Sequence, residues 1–366
     1  MDKTKIIVHR KGGYLSRAEK WHMNGEEITV LNNYKYLGYT LTTKLSGDDA
    51  LSEYVGRAKN KVLSIFRTLK ILGRMDFDVF FKLFDSQVAP SLTYAGEIWG
   101  MVPYENIEAV HLFACKRLLG VRKKTPNCLV YGELGRYPLS INTKIQVVKY
   151  WFKILNMSDD RLPKLAYMRE LTEENKIGSW CNGIKTLLQQ VGFGYVWEDP
   201  RCIVESTFIK DLKLRLKDTY QQFWADTCDM SSKFTEYRSF KTDFIREPYL
   251  KILDISKFRL AYTRIRTGAN YLNANRRFIH KNPFTKCPFC PETETEFHLL
   301  IICPKYKDLR EKYVYKHFRE EICRNITLDK LINNDKEEII RDIAVFTHQA
   351  FNRRFHCLQA LKIRTN

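Results

Sequence analysis

Four residues toward the C-terminus could hold a metal ion: the pair in Cys287-Pro288-Phe289-Cys290, then His298 after seven residues, then Cys303 after four more. Three thiols and an imidazole are donors that Zn²⁺ takes in a tetrahedral site, and two cysteines two residues apart can grip one ion from a tight turn. Pro288 and Pro291 restrict the backbone around that pair, while Pro304 disfavours helical geometry at Cys303. On a continuous helix His298 and Cys303 would point about 140° apart, so a helix must end or unwind at Cys303 if both are to bind one ion. With every position filled by protein, the expected role is structural zinc, without an open place for an activated water. Such an ion would contribute on the order of 10 kcal/mol of apparent folding free energy, enough to hold a knuckle that has almost no core. The remaining cysteines, Cys115, Cys128, Cys181, Cys202, Cys228, Cys323 and Cys357, are scattered singly. That spacing fits a reducing compartment with one metal cluster better than a disulfide framework.

The cluster sits in basic surroundings. Sixty-one lysines and arginines stand against 42 aspartates and glutamates, a net charge of +19, an excess usually matched by a polyanion. From Ile255 to Pro291 no acidic residue occurs, while Lys257, Arg259, Arg264, Arg266, Arg276, Arg277, Lys281 and Lys286 alternate with Phe258, Tyr262, Tyr271, Phe278 and Phe284. Arginines grip phosphates and aromatic rings stack on unpaired bases, so the stretch suits RNA or single-stranded DNA. A solvated basic helix face over core aromatics would give the same pattern. No run of about 18 apolar residues occurs and the N-terminus lacks an apolar signal core, so a nuclear or cytoplasmic chain is expected, neither secreted nor bound to a membrane. No Gly-rich phosphate loop, Ser–His–Asp order or open metal triad is present to suggest another enzyme class.

The elements that must position these residues change character along the chain. Residues 1–43 read as strands: Lys5–Arg10, Lys20–Met23 and Glu27–Val30 around an Asn24-Gly25 hairpin turn, then Tyr34–Leu41 as a further strand. They suggest a small antiparallel sheet in an otherwise mainly α chain. From residue 46 to 157 the period is helical. Leu51, Tyr54, Val55, Ala58, Val62, Ile65, Phe66 and Leu69 form one stripe opposite Arg57, Lys59, Lys61 and Arg67, and further helices are expected at Asp76–Ala89, Pro103–Leu119 and Ile141–Leu155. Residues 158–200, with Pro163 and four glycines, read as a linker. A helical basic region follows over 201–286, with a helix from Ile203 to Phe223, then the knuckle over 287–306. Two or three short helices are expected over 307–366, where Arg353 and Arg354 either extend the basic surface or solubilise the last helix.

Lys257-Phe258-Arg259-Leu260, Thr263-Arg264-Ile265-Arg266-Thr267-Gly268, the Cys-Cys-His-Cys set and Cys303-Pro304-Lys305-Tyr306 together resemble the C-terminal region of non-LTR (LINE-type) retrotransposon reverse transcriptases. At the other end, Lys3-Thr4-Lys5-Ile6-Ile7-Val8 resembles the family's motif after the catalytic carboxylates. Tyr34-Lys35-Tyr36-Leu37-Gly38 resembles its following primer-grip hairpin. The resemblance implies a palm edge, a helical thumb bundle and a zinc knuckle, in that order. It places Tyr36, Leu37 and Gly38 near a primer backbone, and Lys3 or Lys5 at the lysine that serves the incoming nucleotide.

In that family polymerisation needs paired aspartates holding Mg²⁺, and they would precede Lys3. Asp48-Asp49 read instead as acids in the first turn of a helix, and Asp159-Asp160 as loop residues. The expectation is therefore a nucleic-acid-binding C-terminal fragment that lacks the catalytic aspartates and the endonuclease and is not itself an enzyme, with RNA template or target DNA as its partner. Two alternatives stand beside it. One is the C-terminal part of an active RNA-directed DNA polymerase, using Mg²⁺, whose gene model begins late. The other is an adaptor whose knuckle binds protein, including the missing polymerase region.

Overall fold

The computed structural model describes residues 4–364 apart from 11–12, 14, 17–18, 45–47, 74, 102–104, 173–178, 232–233, 276–283 and 323–325. The fold is mainly α-helical, with a small antiparallel β region at the N-terminus. It divides into two units: residues 1–66, 82–110 and 138–216 form one, and residues 67–81, 111–137 and 217–366 the other.

In the first unit the β region is two separate two-stranded hairpins. His22–Met23 pairs with Glu26–Glu27 across Asn24-Gly25, and both turn residues have positive φ as a type I′ turn requires. Tyr34–Leu41, expected as one strand, folds back on itself: Asn33–Tyr36 pairs with Tyr39–Thr42. The turn falls at Leu37 (φ 47°) and Gly38 (φ 86°). Glycine tolerates that geometry and leucine does not, so the Leu37 conformation must be held from outside. Two tyrosine hydroxyls do so, Tyr94 donating to the Leu37 carbonyl at 2.6 Å and Tyr54 to the Gly38 carbonyl at 3.0 Å. Of the expected strand Lys5–Arg10, only a parallel bridge from Ile6 to Val30 forms.

The helix Asp48–Ile71 buries the expected stripe: Leu51, Tyr54, Ala58, Val62, Ile65 and Phe66 are covered while Arg57, Lys59 and Lys61 are exposed. Asp48 and Asp49 open this helix. The helix expected over Asp76–Ala89 is interrupted. Phe77–Leu83 is α-helical, Phe84–Val88 is a π turn, and Ala89–Leu92 resumes the α form. Pro90 has no N–H to donate to the preceding turn, and the wider turn absorbs the defect.

The stretch 158–200, expected as a linker, carries the helices Leu162–Thr172, Trp180–Gln190 and Gly194–Glu198. Its punctuation residues are caps. Pro163 sits in a first helical turn, Ser179 accepts from the Asn182 amide at 3.1 Å, and Gly192 (φ 82°) ends a helix whose Leu188 carbonyl accepts from the Phe193 amide. These helices lay Trp197 against Trp151 of the helix Ser140–Leu155, ring centroids 5.3 Å apart, and bring the Tyr167 hydroxyl 3.2 Å from the Trp151 indole nitrogen.

The second unit is organised around a buried charge network. Arg266, at the end of the helix Ser256–Arg266, reaches Glu133 at 3.1 Å and Glu247 at 2.7 Å, and Glu247 also takes Lys241 at 2.5 Å. Tyr249 donates to Glu133 at 2.7 Å. Arg266 donates as well to the Ile332 carbonyl at 2.6 Å and lies against the rings of Phe240 and Tyr249. Burial by itself would lower the Arg266 pKa, but Glu133 and Glu247 more than offset it and hold the guanidinium above its ordinary value. Two acids and two bases balance in charge, which is the condition for burying them at all.

The last helix, Glu337–Arg364, is one long element where short ones were expected. Neither glycine nor proline interrupts it, and Ile339, Ile340, Ile343, Phe346 and Ala350 give it one buried stripe. Replacing Arg266 by methionine leaves two buried carboxylates against one lysine and is expected to lower unfolding free energy by about 3–5 kcal/mol. Denaturant titration measures it, and adding Glu247→Gln should recover part of the loss. A loss under about 1 kcal/mol would show that the network does not hold this core.

Candidate metal centre

Cys287 and Cys290 are presented by a hairpin-like knuckle. The Cys287 amide donates to the Glu292 carbonyl at 2.7 Å, the Glu294 amide to the Thr285 carbonyl at 2.9 Å, and Lys286 bridges Thr293 in antiparallel fashion. The Phe289 amide points at the Cys287 sulfur, 3.4 Å away. Thr295 then caps the amide of His298 through Oγ1 at 3.1 Å. His298–Ile302 form a π turn, and the Cys303 amide donates to the His298 carbonyl at 2.8 Å. Cys303 itself is extended, with ψ 122°. The helix thus unwinds where the ligand spacing demanded, and the route it takes is a wide turn that swings Cys303 back toward His298.

The four donor atoms all lie within 4.8 Å of one another. Cys287 and Cys303 sulfurs are 3.9 Å apart, and Cys290 sulfur is 3.4 Å from His298 Nε2. For Zn–S bonds near 2.3 Å and Zn–N near 2.0 Å, a tetrahedron has edges of roughly 3.8 Å between sulfurs and 3.5 Å between sulfur and nitrogen. The site therefore fits a single tetrahedral ion. Burial pushes the Cys287 thiol up to about 12 and raises Cys303, so these thiols stay protonated until a cation displaces the proton, while burial lowers His298 and keeps its imidazole in the neutral, ligating form.

Residues outside the ligand set clamp the knuckle. Buried Arg310 donates to the Leu300 carbonyl at 2.8 Å and the Cys303 carbonyl at 2.9 Å, satisfying backbone that the π turn leaves open. Glu294 receives a two-pronged contact from Arg354 at 2.6 and 2.7 Å and accepts the Asn273 amide at 2.8 Å. Glu296 accepts from Asn270 at 2.7 Å and from Asn275, and burial raises its carboxyl above the usual range. Arg353 pairs with Asp308 at 2.5 and 2.7 Å and holds that carboxyl down to about 2. Arg354 is therefore a buried anchor of the metal loop and no part of a basic surface, and Arg353 is engaged beside it. The alternating glutamates Glu292, Glu294 and Glu296, between Lys286 and Lys305 with no Lys or Arg among them, were the available signal for these partners.

The basic residues expected to touch nucleic acid separate into two groups. Arg259 and Arg266 are buried: Arg259 donates to the Leu253 carbonyl at 2.9 Å and stacks on Phe77, and Arg266 is the centre of the charge network. A guanidinium closed off inside the fold cannot reach a phosphate, so these two are corrected to structural roles. Arg264 is half-buried on the Gly120 carbonyl at 3.0 Å. Lys257 and Lys286 are exposed, as are Lys305 and Lys307 after the last ligand, with the Lys305 ammonium 5.6 Å from the Phe289 ring. Arg276, Arg277 and Lys3 lie outside the described residues. In the first unit Tyr36 and Leu37 are exposed at the hairpin tip, Gly38 is half-buried, and so is Lys5.

The chain is 21% identical over 363 residues to the 115 kDa protein in the type-1 retrotransposable element R1DM of Drosophila melanogaster, a match covering 96% of this chain and 31% of that protein. The chain thus spans about a third of the length of the curated relative it matches. The similarity supports a non-LTR retrotransposon-related origin. No protein-family model matches the chain, and no solved structure matches it. Among the described residues, no helix is long and apolar enough to cross a membrane.

The purified chain is expected to carry one zinc per molecule, and its cobalt-substituted form to show the intense visible bands of a tetrahedral thiolate site. Cys290→Ser and His298→Ala should each lower metal content and thermal stability together. Unchanged metal content in both variants would sink the assignment.

Proposed function

We propose that this chain binds nucleic acid as part of a LINE-related retrotransposon protein, using a zinc-held knuckle to present cations to a phosphate backbone. The observation that carries the reading is the complete Cys287–Cys290–His298–Cys303 donor set, whose spacing suits zinc and leaves no ligand position for catalysis, flanked by exposed Lys286, Lys305 and Lys307. The similarity to the R1DM protein over 96% of the chain supports the same reading, because that protein is named for a retrotransposable element.

In this reading the role is grip. Lys257, Lys286, Lys305 and Lys307 neutralise phosphates, Phe289 offers a ring beside Lys305, and the exposed basic face of the helix Asp48–Ile71 serves a thumb. Tyr36, Leu37 and Gly38 form a hairpin tip of fixed shape suited to a primer or template backbone. RNA template and target DNA are both within this chemistry. Polymerisation is not assigned to these residues: Asp48 and Asp49 open a helix, and Asp159 and Asp160 are exposed in a turn. Any Mg²⁺-dependent step would belong to aspartates elsewhere in a longer protein.

The test is equilibrium binding of the zinc-loaded chain to single-stranded RNA and duplex DNA across a salt series. Each phosphate contact adds about 0.7 to the log–log salt slope on single strands and about 0.9 on duplex DNA, so removing Lys286 and Lys305 together should weaken binding and lower the slope by roughly 1.4 on single strands and 1.8 on duplex DNA. Binding that is absent, or indifferent to salt, would instead favour an adaptor whose knuckle contacts protein.

A further inference from the structure

Two basic stretches far apart in the sequence meet in the second unit. One is the acid-free run from Ile255 to Pro291; the other is residues 111–132, where Lys116, Arg117, Arg122, Lys123 and Lys124 occur without an aspartate or glutamate. The helix Glu105–Leu119 ends at Gly120 (φ 65°), a left-handed position that turns the chain into the loop 121–125. Two arginines tie that loop to the other stretch. Arg264 donates from Nε to the Gly120 carbonyl at 3.0 Å, and Arg122 donates to the Asn270 carbonyl at 2.6 Å. Stretches of like charge repel, so a fold that lashes them together makes a surface that a polyanion would relieve.

The anchored Arg122 also orders a ring. Its guanidinium carbon lies 3.9 Å from the centre of the Tyr271 ring, over one face. Tyr271 is nevertheless 61% exposed, so the opposite face is open to solvent. A ring already held on one side loses little further freedom when a base stacks on the other. Lys123 and Lys124 follow Arg122 directly and are both exposed. Their backbone is fixed: the Lys123 carbonyl accepts from Lys116 at 2.8 Å, and the Thr125 amide closes a turn on the Arg122 carbonyl at 3.0 Å. Of the acids nearby, Glu296 is buried on the Asn270 and Asn275 side chains, while Glu236, which lines the cavity beside this loop, is exposed. Three consecutive cations against one exposed acid leave the loop positive.

We propose that Tyr271 and the loop 121–125 form a single-strand contact additional to the knuckle cations, at which one unpaired base stacks on the open face of Tyr271 while Lys123 and Lys124 take flanking phosphates. The proposal rests on the nucleic-acid reading above and deepens it. Lysines at the knuckle grip any phosphate backbone, whereas a ring face selects a strand whose bases are free to stack on it. Within a duplex each base is covered by its neighbours and could reach the ring only by leaving its stack.

The test is equilibrium binding of the zinc-loaded full chain to one labelled deoxyoligonucleotide, as a single strand and annealed to its complement, across a salt series. Tyr271→Leu keeps an apolar side chain and removes the ring, so single-strand affinity should fall by about fivefold or more while duplex affinity changes by less than about twofold. Tyr271→Phe keeps the ring and should bind the single strand within about twofold of the parent chain. Thermal stability should hold in both variants, since the side chain is exposed. Lys123→Ala with Lys124→Ala should lower the single-strand salt slope by about 1.4. A smaller loss of single-strand affinity in Tyr271→Leu, or an equal loss on the duplex, would overturn the stacking site and leave the backbone grip of the knuckle standing. Failure of the parent chain to bind either form would overturn both.

Discussion

The second unit depends on the burial of Arg266. A lone guanidinium transferred from water into a protein interior is prohibitively costly, so the fold around it must deliver carboxylates with good geometry. Glu133 arrives from the helix Asn127–Leu134, Glu247 from the turn before the helix Tyr249–Ile252, and Lys241 balances the second acid. The Ile332 carbonyl takes another donor, while Phe240 and Tyr249 cover the guanidinium with their rings. Lysine could not replace this arginine, since one ammonium cannot address two carboxylates and a carbonyl from a planar fork. The network therefore specifies which segments meet, whatever its net worth in stability.

That demand changes how the basic composition is understood. Arg259, Arg266, Arg310 and Arg354 are all buried, each donating to carbonyls or carboxylates inside the fold. A sequence window shows their charge and conceals their burial: 133 residues separate Arg266 from Glu133 and 60 separate Arg354 from Glu294, while Arg259 and Arg310 donate to nearby backbone carbonyls that carry no residue-type signal. Exposed lysines, by contrast, remain where the charge suggested. Around the knuckle, lysine supplies the outward charge and arginine much of the inward support, a division that follows from the planar donor fork of one and the strong hydration of the other.

What was legible in advance follows the same distinction between local and distant causes. The meeting of the four candidate donors was readable because residue type, the two-residue spacing and Pro304 are all local, and even the unwinding at Cys303 followed from the helical period. The stripe from Leu51 to Phe66 was readable for the same reason. Tyr34–Leu41 was not, since its aromatic and β-branched residues suit a strand and its reversal requires Leu37 in a left-handed conformation that Tyr54 and Tyr94 stabilise from other elements. Residues 158–200 misled because glycine and proline mark helix ends as readily as linkers, and only the stacking of Trp197 on Trp151 decides between them.

The knuckle shows why a metal alone would not suffice. Zinc can fix four donor atoms relative to one another, but it exerts no control over how the loop sits on the rest of its unit. Glu294 and Glu296 provide that control by turning inward, where Arg354, Asn270, Asn273 and Asn275 hold them, and Arg310 secures the carbonyl of the last ligand. With Glu294 and Glu296 directed into the fold, the outer surface of the loop carries Lys286, Lys305 and Lys307 beside one exposed acid, Glu292. One arrangement thus does two things: it anchors the loop through a buried Arg354–Glu294 pair and through amide contacts to Glu296, and it takes two of the loop's three negative charges away from its outer face.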